Sequence, residues 1–130
     1  MAYKILLAED EPTIRRLMAM LLSRKGHEII ETDNGGPVVE LAQQHQPDII
    51  LLDIMMPVVD GFEALRRVRA TPGIDDIPVI FLSAKSQTED RVEGLRMGAD
   101  DYLLKPANPN ELMERIDSVM LRSRRAARRI

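Results

Sequence analysis

The sequence has no cysteine and no long apolar run, and each absence excludes a class of protein. Without cysteine there is no disulfide framework, no thiolate metal site and no cysteine nucleophile. No apolar run approaches the roughly 20 residues needed to cross a bilayer. Acidic residues interrupt the first apolar stretch by Glu9, which argues against a secretory signal. We therefore expect a cytoplasmic protein that makes no membrane contact.

Acidic residues outnumber basic ones in the body of the chain, whereas the end of the chain is basic. The net charge is −3, although residues 122–130, RSRRAARRI, contain five arginines and no acid. Phosphate contacts need clustered lysine and arginine, so we expect no direct nucleic-acid binding by the acidic body. We expect one domain over residues 1–121, followed by a basic helix extension or linker stub over 122–130. This tail is compatible with a helix that continues into a longer chain, with a solvated helix end, or with contacts to nucleic acid or acidic lipid.

Five short apolar runs alternate with segments of helical period. The runs are Ile5–Ala8, Ile29–Ile30, Ile49–Leu52, Val79–Leu82 and Tyr102–Leu104. Three of them are continuously apolar, which is typical of parallel strands covered on both faces. The pattern predicts an α/β fold of the (βα)5 type, with one open, doubly wound parallel sheet and helices on both sides. At 130 residues and 45% apolar composition, the chain can form one core.

The segments between the runs predict amphipathic helices. Apolar residues spaced for one buried face are Ile14, Leu17, Met18, Leu21 and Leu22 in the first helix, and Val92, Leu95 and Ala99 in the fourth. Pro12, Pro37 and Pro109 mark helix starts, whereas Gly26 and Gly98 mark helix ends.

Polar residues follow the strands at the edge of the sheet where such folds bind ligands. Glu9 and Asp10 follow the first strand, Asp53 the third, Ser83 the fourth and Lys105 the fifth. Carboxylate oxygens are the ligands preferred by Mg²⁺, and Mn²⁺ is an expected substitute. A carboxylate held beside a metal, an ammonium and a hydroxyl is suited to forming an aspartyl-phosphate.

Residues 3 to about 121 resemble the receiver domain of two-component response regulators. The matching motifs are LLAEDEPTIR, PDIILLDIMMPVVDGFEALRRVR, IPVIFLSAK and GADDYLLKP. The resemblance implies a CheY-like, flavodoxin-like sheet of strand order 2-1-3-4-5. It also implies a phosphorylation-dependent signalling switch, not a dedicated enzyme, that receives its phosphoryl group from a sensor histidine kinase or a phosphotransfer protein. Intrinsic autophosphatase activity is expected as well.

The resemblance assigns the residues of the phosphorylation chemistry. Asp53 would be both the phosphoacceptor and a metal ligand. Glu9 and Asp10 would be the acidic metal pair, with the Met55 backbone carbonyl as a further ligand. Met55 and Lys85 flank the implied path of hydrolytic water and would set the lifetime of the phosphoryl group. Glu9 stands where aspartate is frequent in the family, and we expect its extra methylene to shift metal affinity.

The resemblance also assigns the residues of the switch. Ser83 would be the switch hydroxyl, Lys105 the lysine that contacts phosphate, and Tyr102 the aromatic residue that changes rotamer. Pro106 is expected to follow a cis peptide bond. Ala107 stands where phenylalanine is common in the DNA-binding subgroup, which weakens any inference about the class of output.

A subgroup of receivers dimerises through the face formed by helix 4, strand 5 and helix 5, and this sequence resembles it there. The implied dimer residues are Arg91, Arg96, Asp101, Glu111, Arg115 and Asp117. Arg91 is expected to meet Glu111 of a partner, and Asp101 to meet Arg115. Exposed pairs are worth only about 0.2–1 kcal/mol each, so they would select a partner more than drive association.

Three other functions share parts of this pattern. A haloacid dehalogenase-type phosphatase requires an acid two residues after its nucleophile, where this chain has Met55. A flavin-binding electron carrier requires a phosphate loop rich in hydroxyls and glycine, where this chain has AEDEPT. A degenerate receiver that acts only as an interaction module would not need the complete set of site residues.

Overall fold

The computed structural model describes residues 2–83, 88–105 and 108–123, with residues 88–91 described by their backbone alone. Within these ranges the chain forms five strands and five helices. The strands are β1 Lys4–Ala8, β2 Glu28–Thr32, β3 Ile49–Asp53, β4 Val79–Ser83 and β5 Asp101–Leu104. The helices are α1 Pro12–Arg24, α2 Val38–His45, α3 Gly61–Arg69, α4 Thr88–Arg96 and α5 Pro109–Arg122.

The strands form one parallel sheet in the order β2-β1-β3-β4-β5. Both the (βα)5 fold and the strand order 2-1-3-4-5 are therefore confirmed. The sheet separates two apolar clusters, because successive side chains of a strand point to opposite faces. In β3, Ile50 and Leu52 pack with α2 and α3, whereas Ile49 and Leu51 pack with α1 and α5.

Local signals in the sequence start and stop the helices. Pro12 and Pro109 occupy first turns, where a missing N–H costs little. The Glu11 carboxylate caps α1 by accepting from the backbone N–H groups of Thr13 and Ile14. After α1, Gly26 has a φ of 94°, a left-handed conformation that glycine adopts without strain. These elements meet the predicted boundaries to within a few residues.

Helices α1 and α4 bury less of their apolar stripes than the periodicity predicts. In α1 only Ala19 and Leu22 are buried, whereas Leu17 is 49% exposed. In α4, Val92 and Leu95 are 41% and 42% exposed. The prediction of a buried face is therefore wrong for Leu17 in α1 and for Val92 and Leu95 in α4.

The two helices are exposed for different physical reasons. The exposed stripe of α1 borders a groove against α5 with a volume of about 460 Å³, lined by Ile14, Leu17, Met18, Leu21, Leu22, Lys25, Leu82, Lys105, Pro109, Leu112 and Met113. At α4 the close contact is made by Gly94, where an added Cβ would lie 2.8 Å from the Phe81 ring. No helix among the described residues is both long and apolar enough to span a membrane.

Candidate functional site

The parallel sheet brings the predicted polar residues to one edge. Asp53 is the last residue of β3 and Ser83 the last of β4, while Glu9 directly follows β1 and Lys105 directly follows β5. Lys105 is held beside β4 because its backbone N–H donates to the Ser83 carbonyl at 2.7 Å. Both Asp53 and Ser83 are buried, at 4% and 1% exposure. Regular strand backbone therefore fixes the position of the candidate phosphoacceptor.

Three carboxylates converge at this edge. One oxygen from each of Glu9, Asp10 and Asp53 lies within 4.8 Å of the others. Glu9 is fully buried, while Asp10 is partly exposed. Carboxylates this close repel one another unless a positive charge lies among them. An all-oxygen set with one partly exposed member fits Mg²⁺, which usually takes one or two carboxylates and keeps several waters.

Lys105 supplies a positive charge within the site. Its ammonium group donates to Glu9 Oε1 and lies 3.2 Å from Asp53 Oδ2. The Lys105 side chain is only 14% exposed, so solvent screens these ion pairs weakly. The second Glu9 oxygen, Oε2, accepts from the backbone N–H of Glu11 at 3.2 Å. Every oxygen of the Glu9 carboxylate therefore has a donor from the protein.

The pKa of Asp53 is raised to about 7, first by burial and then by its hydrogen bond with Glu9 and the negative charge of that residue, while Lys105 opposes these effects. The Asp53 carboxyl therefore holds a proton more readily than an exposed aspartate. A cation added beside the three carboxylates would favour the ionised form of Asp53. The ionised carboxylate is the nucleophilic form, because no proton occupies the lone pairs of its oxygens.

The loop after β3 contacts Asp53 through its backbone. The Met55 backbone N–H donates to Asp53 Oδ1 at 3.3 Å, and the Met55 side chain is 57% exposed. Gly61 begins α3 against this loop, where an added Cβ would lie 2.5 Å from the Asp53 carbonyl oxygen. Val58 has a φ of 67°, a left-handed conformation that is unusual for a β-branched residue. Sequence reasoning missed both Gly61 and Val58, although the motif PVVDG contains them.

The predicted switch residues are only partly described by the structure. Tyr102 is buried, at 8% exposure, and packs in the cluster that contains Phe81 and Ala99. Pro106 and Lys85 lie outside the described residues, so the cis peptide bond and the role of Lys85 stay predictions. The roles assigned to the other site residues also stay predictions, although the structure brings Glu9, Asp10, Asp53, Ser83 and Lys105 together.

The predicted dimer face carries an ion pair within one chain. Arg115 lies 3.2 Å from Asp101, the residue that it was expected to meet on a partner. The remaining described members of the face, Arg96, Glu111 and Asp117, are exposed. Arg91 belongs to α4, but the structure describes only its backbone. The intermolecular pairing stays a prediction, and for Asp101 it must compete with the pair inside the chain.

Sequence reasoning also missed the role of Arg69 at the end of α3. Its guanidinium donates to the carbonyls of Gly98 and Ile77, each at 2.7 Å, and lies 3.2 Å from the Asp100 carboxylate. The same Asp100 oxygen accepts from the backbone N–H of Val79 at 2.8 Å. Arg69 therefore ties α3 to the turn before β5. The signal was weak, because Arg69 reads in the sequence as one of several basic residues near a helix end.

Comparison with known proteins identifies the family. The model of the response regulator receiver domain matches residues 5–117. The chain is 39% identical over 117 residues to Protein PilH of Pseudomonas aeruginosa, covering 90% of this chain and 97% of that protein. It is 40% identical over 122 residues to the phosphate regulon transcriptional regulatory protein PhoB of Escherichia coli, covering 94% of this chain and 53% of PhoB. The chain spans about half the length of several of the curated relatives it matches, PhoB among them.

Solved structures agree in fold. The chemotaxis response regulator CheY4 of Vibrio cholerae superimposes with a TM-score of 0.85 at 30% identity, covering 92% of this chain and 99% of that one. The receiver domain of the Francisella response regulator 1452 gives a TM-score of 0.84 at 33% identity, with coverage of 92% and 98%. With the family model matching most of its length, this chain belongs to the response regulator receiver domains of two-component signalling.

Proposed function

We propose that this domain accepts a phosphoryl group on Asp53 from a histidine kinase or phosphotransfer protein, in a reaction that depends on Mg²⁺. The change would reach the face formed by α4, β5 and α5 and so control a partner or an output domain. The observation that carries this proposal is the juxtaposition of Asp53 with Lys105 and two further carboxylates at one sheet edge. The cytoplasmic location and the domain limits of 1–121 and 122–130 stay predictions.

The chain's own residues support the transfer by positioning and charge. An Asp53 oxygen would form the new bond to phosphorus while the bond from phosphorus to the donor nitrogen breaks, and the electron pair of that bond leaves with the donor. Lys105 and the Ser83 hydroxyl would each donate to phosphoryl oxygens. Glu9, Asp10 and the Met55 carbonyl would hold the metal, which when bound neutralises charge on the transferred group. Later hydrolysis would pass the exposed Met55 side chain.

The phosphorylated site would act on the buried side chain of Tyr102. Phosphorylation adds up to about two negative charges and several acceptor oxygens. Ser83 and Lys105 both lie on strand ends next to this charge, and movement of Ser83 would open space toward Tyr102. Reversing a two-state equilibrium from 1:99 to 99:1 takes about 5.5 kcal/mol. Two or three charge-assisted hydrogen bonds of about 1.5–3 kcal/mol each supply that amount.

The groove between α1 and α5 supports a docking site for the phosphodonor. It is lined mainly by apolar side chains, and it ends at Lys105, inside the site that receives the phosphoryl group. A helix with an apolar stripe fits such a groove, because it buries that stripe beside its own reactive group. We assign the groove to a helix of the histidine kinase or phosphotransfer protein.

Intact-mass measurement tests the proposed phosphorylation. Incubation of the wild type with a small-molecule phosphodonor and Mg²⁺ should add one phosphoryl group. Asp53→Asn should abolish the addition, because an amide is not nucleophilic at neutral pH. Asp33→Asn is the matched control, since Asp33 is an exposed acid outside the site. A phosphoryl group that persists in Asp53→Asn would refute Asp53 as the acceptor.

A further inference from the structure

The guanidinium group of Arg69 joins two turns at the amino ends of β4 and β5. Its nitrogens donate to the Gly98 carbonyl in the turn before β5, at 2.7 and 3.2 Å. They also donate to the Ile77 carbonyl at 2.7 Å and to the Asp75 carbonyl at 3.2 Å, both in the loop before β4. The Arg69 side chain is only 23% exposed, so water competes weakly for these carbonyls. One side chain therefore fixes where β4 and β5 begin relative to each other.

Asp100 forms a second connection between the same two strands. Its backbone N–H donates to the Val79 carbonyl at 2.7 Å, and its Oδ2 accepts from the Val79 backbone N–H at 2.8 Å. The same oxygen accepts from Arg69 at 3.2 Å. Val79 is fully buried, so water cannot replace the carboxylate on that N–H. These contacts among Arg69, Asp100 and Val79 form a clamp, here called the β5 clamp, which pairs the residue before β5 with the first residue of β4.

The strand that follows the β5 clamp is short and lies at the edge of the sheet. It has four residues, and β4 is its neighbour in the strand order. Burial of Tyr102 and Leu103 on opposite faces fixes which way its side chains point. Lys105 follows directly and bonds to Ser83, and at about 3.3 Å per residue it lies roughly 16 Å from Asp100 along the strand. The axial position of the lysine therefore depends on how both ends of β5 are held.

We infer that Arg69 and Asp100 are positioning residues for the phosphorylation of Asp53, because the β5 clamp fixes the strand that carries Lys105. This inference rests on the proposed function, since it concerns the same reaction. Both residues lie at the amino edge of the sheet, opposite the site, so they act through the placement of the lysine. Misplacing a contacting group by about 1 Å can slow a reaction by up to about two orders of magnitude. Loosening the clamp should therefore slow phosphorylation without removing any group from the site.

A double-mutant cycle of phosphorylation rates tests this placement. The rate constant with acetyl phosphate and saturating Mg²⁺ is measured by intact mass for the wild type, Arg69→Met, Lys105→Met and the double variant. Arg69→Met, which removes every donor of the guanidinium, should slow phosphorylation roughly tenfold. In the Lys105→Met background the same substitution should slow it less than about twofold, because no lysine remains to be misplaced. Tenfold slowing in both backgrounds would overturn the inference, since the loss would then reflect general damage to the fold.

Arg66→Met is the matched control, because Arg66 is a basic residue of the same helix that pairs with Glu63 at the surface. It should leave the rate constant unchanged. An unchanged rate in Arg69→Met would overturn the inference as well. Failure of the proposed function is distinct from both results, because the wild type would then gain no phosphoryl group.

Asp100→Asn provides a milder variant for the case that Arg69→Met does not fold. Asparagine is nearly isosteric with aspartate and keeps an oxygen for the Val79 N–H, but it lacks the charge that holds Arg69. Phosphorylation should be about threefold slower, and the backbone amide resonance of Lys105 should shift in NMR spectra, although it lies roughly 16 Å away along the strand. The amide resonance of Ala8 in β1 should not shift. An unmoved Lys105 resonance in folded Asp100→Asn would overturn the role of the β5 clamp.

Discussion

Val58 shows how a single residue carries backbone strain beside the candidate site. Its φ of 67° lies in the left-handed region, and its side chain is 92% exposed, so packing gives nothing in return for the strain. Such conformations cost on the order of 1–3 kcal/mol for residues other than glycine. Asparagine adopts the same conformation more readily, because its short polar side chain bonds locally.

We predict that Val58→Asn raises the free energy of unfolding by about 1 kcal/mol, the strain released at a left-handed position. Denaturation by urea measures the change. Val92→Asn is the control, because Val92 is also an exposed valine but lies in α4, where the two residues have similar helix propensity. Equal effects of the two substitutions would show that Val58 is not strained.

His27 adds a pH dependence at the opposite end of the sheet. Its Nδ1 accepts from the Tyr3 backbone N–H at 2.9 Å, and its ring stacks on the Tyr3 ring. Its Nε2 is buried and has no hydrogen-bond partner among the described residues. Burial lowers the pKa of His27 from 6.5, although the Asp117 carboxylate opposes the shift. His27 therefore binds a proton more readily in the unfolded chain than in the folded chain. Stability contributed by neutral His27 is present above pH 6.5 and is lost as the pH falls below it.

The pKa shift of Asp53 makes stability depend on pH in the opposite direction. The prediction for His27 is therefore best measured in an Asp53→Asn background. The raised pKa of Asp53, from 3.8 to about 7, gives stability that is present at low pH and lost as the pH rises toward 7. We predict that Asp53→Asn protein loses stability between about pH 6.5 and 5, and that adding His27→Phe flattens this slope. Parallel slopes in the two proteins, from urea denaturation across that range, would exclude His27 as the source.

At the level of elements, the positions of strands and helices could be predicted from the sequence. The packing partners of their apolar faces were predicted less well. Strands were predictable because continuous apolar runs such as Ile49–Leu52 are distinctive of parallel sheets, and the strand ends then placed Asp53 and Ser83. The apolar stripe of α1 was equally clear, yet periodicity reveals only that a face is apolar. Whether that face meets the core or a groove depends on the distance between α1 and α5, which no local pattern encodes.

Among the contacts of the site, too, some could be predicted from the sequence and others could not. The meeting of carboxylates at one edge followed from topology alone. The ion pair between Lys105 and Glu9 did not, because it depends on the length of two side chains and on the spacing of four strands. Arg69 was missed for a similar reason, since its partners Gly98 and Asp100 are about 30 residues away in sequence.

The exposed face of α1 leads to a prediction about phosphotransfer. Leu17→Glu, at a position 49% exposed in the groove, should slow transfer from a protein donor at least tenfold, because it places a charge where an apolar helix would dock. The donor for the measurement is the histidine kinase that phosphorylates the wild type fastest in a panel. Phosphorylation by a small phosphodonor should be unchanged, since such a donor needs no groove.

Leu121→Glu is the matched control for the groove, because Leu121 is 88% exposed on α5 and does not line it. It should leave both rates unchanged. Equal slowing of both donors by Leu17→Glu would indicate damage to the site and would contradict the assignment of the groove.

For the molecule as a whole, metal binding should increase the free energy of unfolding. A ligand bound only by the folded state adds about 2.7 kcal/mol at a hundred times its dissociation constant. We predict that Mg²⁺ raises the melting temperature of the wild type by several degrees and saturates with concentration. Asp10→Asn, which removes the partly exposed carboxylate, should weaken the shift. A similar rise with NaCl at equal ionic strength would reveal charge screening in place of a site.

The order of the strands also governs when the site can exist during synthesis. The central pairing joins β1 to β3 across some 45 residues, and the lysine that neutralises Glu9 follows 96 residues after it. A ribosome must therefore release nearly the entire domain before the acidic residues near the amino terminus find their ammonium partner. Until then the carboxylates of the site lack the ammonium group of Lys105, so the site is completed only when β5 joins the sheet.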